Sequence, residues 1–99
     1  MSSDNVVMLA NTVSLNGAIT FYNAPELCAR LLQILPKDQA LTVDLKHVTK
    51  CDSASIVVLL QIIRFATQHQ QTVKFVDMPK AMRVLSDLYD LNTLFKIKN

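Results

Sequence analysis

The chain holds one glycine, Gly17, among 99 residues, and no tryptophan. A Walker A loop and a GxGxxG dinucleotide turn each need several glycines where backbone approaches phosphate, so both are excluded. Cysteine is nearly as scarce. Cys28 and Cys51 make neither a disulfide framework nor a zinc site and read as small packing residues. Ten Lys and Arg against eight Asp and Glu leave a net charge of +2, far from the clustered basic footprint of a nucleic-acid-binding domain. No apolar run approaches the about 20 residues of a membrane span. The longest, Ala54 to Ala66, is interrupted by Gln61 and Arg64. The start, MSSDNVVMLA, has neither a cationic beginning nor a long apolar stretch, so a cytoplasmic location with reduced thiols is expected. What is abundant is apolar surface. A hydrophobic fraction of 51% against 18% charged suits one small core and excludes a disordered tail. The expectation is a single α/β domain over residues 1–99, with no cofactor and no metal.

Val6 to Leu9 and Thr12 to Leu15 read as two short strands joined at Ala10-Asn11, a hairpin. Ala18 to Tyr22 reads as a link to the first helix. Asn23-Ala24-Pro25-Glu26 opens that helix, with Asn as N-cap and Pro in the first turn. Ala24, Leu27, Cys28, Leu31, Ile34 and Leu35 share its expected core face, and Pro36 stops it. Leu41 to Leu45 is a strand, Lys46 to Cys51 a loop, and Asp52-Ser53 begins a helix running to about Gln70. A strand at Thr72 to Val76 leads to a helix opened by Pro79, with Ala81, Val84, Leu85 and Leu88 expected inward. Leu91 to Phe95 is a helical turn, and Lys96-Ile97 an edge strand. Strands separated by helices imply parallel neighbours.

The middle helix is the informative element. Ser53, Val57, Gln61, Arg64 and Gln68 share one stripe, while Ile56, Leu59, Ile62, Ile63 and Phe65 cover most of the remainder, bordered by Val58 and Leu60. That apolar surface is more than twice the width a surface helix needs. Either the helix is wedged inside its own domain, or part of it meets another protein. Asp52 or Ser53 at its start is first of all a cap for unsatisfied N–H groups. The same tip favours a phosphate on Ser53 or a polar contact to a partner. Catalysis is not expected. His47 precedes Asp52-Ser53 in sequence, but no glycine-rich elbow or oxyanion loop accompanies a Ser-His-Asp set.

The run Val43-Asp44-Leu45-Lys46-His47-Val48-Thr49-Lys50-Cys51-Asp52-Ser53-Ala54-Ser55 resembles the signature of STAS domains. There a strand ending in Asp-Leu leads through a loop with an inward Val to Asp-Ser or Asp-Thr at a helix start. Within the family, the apolar run after Ser55 and the segment from Phe75 to Leu91, with its Leu-Tyr-x-Leu ending, resemble the MlaB-like branch. The resemblance implies a mixed, mostly parallel sheet of four to five strands with an N-terminal hairpin and three to four helices. It implies a non-catalytic subunit of an ABC-type phospholipid-transport complex. The partner would be an ABC ATPase subunit (MlaF-like) of an inner-membrane complex with its permease. The chain itself would be cytoplasmic, peripheral at that membrane through the complex, without direct insertion. The implied contact begins at Asp52, Ser53 and Ser55 and continues along Val57, Leu60, Gln61 and Arg64. The related branch, anti-sigma factor antagonists, implies instead a phosphorylation site at Ser53. One residue departs from that branch: Ser55 stands where antagonists commonly carry Gly.

Overall fold

The computed structural model describes residues 5–96. The hairpin forms as the sequence predicts: β1 (Val6–Leu9) pairs antiparallel with β2 (Thr12–Leu15) through Ala10-Asn11. Ala10 takes φ +56° in this turn. A side chain there crowds the following carbonyl, at a cost of about 1–2 kcal/mol. Ala10→Gly is therefore expected to stabilise the domain by about 1 kcal/mol. The midpoint of thermal unfolding should rise by about 4–8 °C; a lower midpoint would contradict this reading of the turn.

Two segments differ from expectation. The link after Asn16 contains β3 (Gly17–Ile19), and the expected loop from Lys46 to Cys51 contains β5 (Val48–Cys51). The two pair with each other in parallel, ending with Ile19 opposite Cys51. Each strand is too short to show alternation alone, and its partner lies some thirty residues away, so local pattern does not reveal it. Gly17, at φ +77°, lets the chain leave β2 and enter β3 while its N–H donates to the His47 carbonyl at 2.9 Å.

The main sheet has the order β1-β2-β4-β6, with β4 (Leu41–Asp44) parallel to both β2 and β6 (Val73–Val76). Its two faces differ. Val13, Leu15, Leu41 and Val43 are buried. Their neighbours Thr12, Ser14, Thr42 and Asp44 are partly open, and Lys74 is exposed. This alternation is that of a sheet covered by helices on one side only. On the covered side lie α1 (Ala24–Ile34), α2 (Ser53–Gln68) and α3 (Lys80–Leu88), with α2 packed against both others; the short α4 (Asn92–Phe95) follows. The core of α2 consists of Ile56, Val58, Leu59, Ile62, Phe65 and Ala66. Much of its excess apolar surface is thus internal, with Leu60 and Ile63 packed at the edge of the same core.

The helices differ from expectation in four details. Asn23 occupies the N-cap position of α1 but makes no capping bond. Its Oδ1 accepts from the Thr20 N–H at 2.8 Å and its Nδ2 donates to the Ala18 carbonyl at 2.7 Å, so it ties the preceding loop instead. Ile34 is exposed and Cys28 only half-buried. The chain turns extended at Leu35, which takes the core position at the end of α1. In α3 the buried residues are Met82 and Ser86, whereas Ala81, Val84 and Leu88 face outward and Leu85 is half-buried. The helix is rotated by roughly a quarter turn from the orientation its apolar stripe implies. Ser86 holds it there, donating to Asn92 Oδ1 at 2.9 Å, while Asn92 Nδ2 donates to Asp87 Oδ1 at 3.0 Å. Lys96 is the left-handed cap of α4 rather than strand; Ile97 lies outside the described residues.

Candidate protein-interaction site

β3 leads into α1 and β5 into α2, and the two strands pair in parallel, so the starts of α1 and α2 come side by side, and Asp52 joins them. Its backbone N–H donates to the Ile19 carbonyl at 3.4 Å, continuing the β3–β5 ladder. Its carboxylate accepts from the Ala54 N–H at 2.9 Å and from the Phe21 N–H at 3.2 Å. One bond caps α2; the other holds the loop before α1 against the α2 tip. The cap read from the sequence is present, and the link to Phe21 is an additional role. Local sequence rules do not foresee that link, since Phe21 is distant in sequence.

Ser53 follows, exposed, as the first residue of α2. Its Oγ lies 2.8 Å from the Tyr89 phenol oxygen, just past the end of α3. His47 is exposed in the connection before β5, and its role there is a backbone one, the bond from Gly17. Ser55, expected among the contact residues, is fully buried. Its Oγ donates to the Asp52 carbonyl at 2.8 Å, so it supports the first turn and is unavailable to a partner. Of the other residues named from the sequence, Val57 and Arg64 are exposed on α2, and Leu60 and Gln61 are partly buried between them.

The tip lies between two apolar depressions. One, of about 550 Å³, is bounded by Cys51, Asp52 and Ser53 on one side and by Lys80, Ala81, Val84 and Leu85 of α3 on the other. The second, of about 220 Å³, lies between Phe21, Ala24, Pro25 and Cys28 and the Ala54–Val57 flank of α2. Phe21 and Tyr22 project from the loop above it, 69% and 93% exposed, with their rings edge to face at 5.8 Å. Large exposed apolar groups are therefore grouped on both sides of one polar tip, the arrangement of interface anchors around a specific polar contact. Sequence reading missed Phe21, Tyr22, Val84, Leu88 and Tyr89 as parts of this surface. The available signal was the pair of adjacent aromatics in a loop, which has no core-facing period to explain it.

Both thiols flank these depressions. Burial pushes the Cys28 thiol above its ordinary range. Burial also pushes Cys51 up; the Ser55 hydroxyl works the other way, and the Asp52 carboxylate adds to the rise. A raised pKa means less thiolate, which is the reactive species. Alkylation by iodoacetamide at mildly alkaline pH should be slower in the folded domain than in urea for both residues. Equal rates would contradict the burial. Among the described residues no three His, Cys, Asp or Glu gather as a metal set. No helix of the described chain is long and apolar enough to cross a membrane.

The family model described as "Mlab, STAS domain" matches residues 8–97. The chain belongs to this STAS-domain family. No curated protein matches it in sequence. Among solved structures, the fold is shared with the anti-sigma factor antagonist SpoIIAA in its unphosphorylated form, at a TM-score of 0.66 and 11% identity, over 95% of this chain and 97% of that one. It is shared also with part of a protein described as Mglu, at a TM-score of 0.58 and 18% identity, over 78% of this chain. The chain spans only 20% of the length of the Mglu chain. STAS membership supports a non-enzymatic, protein-interaction role.

Proposed function

We propose that this STAS domain is the non-catalytic subunit of an ABC-type phospholipid-transport complex. It binds the cytoplasmic ATPase subunit, supports its activity, and so serves outer-membrane lipid asymmetry while peripheral at the inner membrane. The observation that carries the reading is the Ser53 tip, a polar contact flanked by exposed Phe21, Val57, Val84 and Leu88. Asp52, Ser53, Val57, Leu60, Gln61 and Arg64 form the α2 part of the contact, and the exposed side of α3 extends it. The MlaB-type family match supports the choice of complex. The test is affinity capture with the tagged chain from detergent-solubilised membranes of the native host. An ABC ATPase with its permease among the captured proteins is the expected outcome. A serine kinase in their place overturns the assignment.

The second reading is a phosphorylation-switched anti-sigma factor antagonist. It is favoured by the exposed Ser53 hydroxyl and by the fold shared with SpoIIAA. A phosphate on Ser53 would stand beside the Tyr89 hydroxyl and next to the Asp52 carboxylate, changing the tip by nearly two charge units. This reading requires one added phosphate on Ser53 when a serine kinase partner and ATP are supplied; an unchanged mass removes it.

A further inference from the structure

The outward side of α3 combines two features that local rules disfavour. Its apolar residues Val84 and Leu88 are 57% and 70% exposed, with Ala81 beside them. Its charges also run against the helix dipole. Lys80 and Arg83 stand at the start, Asp87 is in the last turn, and Asp90 lies just beyond the end. A helix start is electropositive and its end electronegative, so each charge sits where the helix itself favours the opposite sign. When local preferences are broken together on one exposed face, that face serves something outside the element.

We infer that this face of α3 seats the same face of a second copy of the chain, antiparallel about a two-fold axis near Val84 and Leu85. In that arrangement Ala81 of one copy faces Leu88 of the other, a small residue against a large one. Arg83 meets Asp87 and Lys80 approaches Asp90, each twice by symmetry. The dipoles oppose, and every charge the helix disfavours gains a counter-charge. A parallel arrangement would instead set Lys80 and Arg83 against their own copies. The pattern is therefore self-complementary in one sense only, as a two-fold interface requires. Lys80, Ala81 and Val84 also line the depression beside Ser53. The pairing therefore covers part of that depression, and a partner docked there and a second copy exclude each other. The pairing does not depend on which protein the Ser53 tip binds.

The test is sedimentation equilibrium of the purified full chain from micromolar to millimolar concentration at low salt, where exposed ion pairs are least screened. The weight-average mass is expected to climb from 11.1 kDa towards twice that value. Val84→Asp should leave a monomer. Arg83→Asp should weaken association about tenfold, because a repelling pair occurs twice. Adding Asp87→Arg to Arg83→Asp should restore it, with pairs of reversed sign. Circular dichroism checks that each variant is folded; Arg83 and Val84 are exposed, and an Asp near the start of α3 suits its dipole. A wild-type chain that stays monomeric to millimolar concentration overturns the inference. So does a dimer indifferent to Val84→Asp, or one that the charge exchange fails to restore.

Discussion

Under the proposed function, Ser53→Glu is expected to weaken binding to the ATPase subunit about a hundredfold, close to 2.7 kcal/mol, while leaving the domain folded. Ser53 is the first residue of α2 and is exposed, so the longer side chain meets no core atom. A carboxylate in the first turn is favoured by the dipole, by about 0.3–1 kcal/mol at an exposed position. The change removes the Tyr89 contact and places a charge at the centre of an apolar-flanked surface. Burying a charge there without a partner is costly, and central contacts dominate interface energies. Arg64→Glu, about three turns further along the exposed side of α2, should act in the same direction at about tenfold, as expected of an anchor nearer the rim. Isothermal titration against the purified ATPase subunit measures both, and thermal melts check the fold. Wild-type affinity in both variants would remove the α2 tip from the interface.

Met82→Ala should be among the most damaging single changes, at about 2–5 kcal/mol for a buried Met. Against a total stability of about 5–15 kcal/mol this is a large share. The unfolding midpoint should fall by at least about 10 °C in a domain of this size. Met82 is wholly inaccessible, whereas Leu88 is 70% exposed. Leu88→Ala should therefore change stability by no more than about 0.5 kcal/mol. Urea melts of the two variants decide between two orientations of α3. If Leu88→Ala proves the costlier change, the helix packs through its apolar stripe and the α3 side of the surface around Ser53 does not exist. The apolar stripe alone favours that outcome, which makes the pair a sharp test of the fold.

The difference at α3 shows where local pattern stops being informative. A one-sided helix normally turns its apolar side inward. The orientation here is set by contacts outside the helix: the Ser86–Asn92 hydrogen bond and the seat of Met82 in the core. Phe95 of α4 also packs edge to face with Phe75 of β6 at 5.5 Å. The short β3 and β5 were hidden for a related reason. Each is defined by a strand that is its neighbour in space and distant in sequence.

By itself, the sequence determined the hairpin, the starts of the three main helices, the strands at Leu41 and Val73, the Asp52 cap and the family. Each of these is written in spacing that acts over a few residues: alternation, a helical period, a cap before an apolar run. Only the tertiary structure decided which exposed groups gather around Ser53. It buried Ser55, carried Phe21 to the tip through Asp52, brought Tyr89 across from the end of α3, and turned Val84 and Leu88 outward. Those positions depend on how separate elements pack, and packing energy is shared among residues far apart in the chain, so no short stretch of sequence records it.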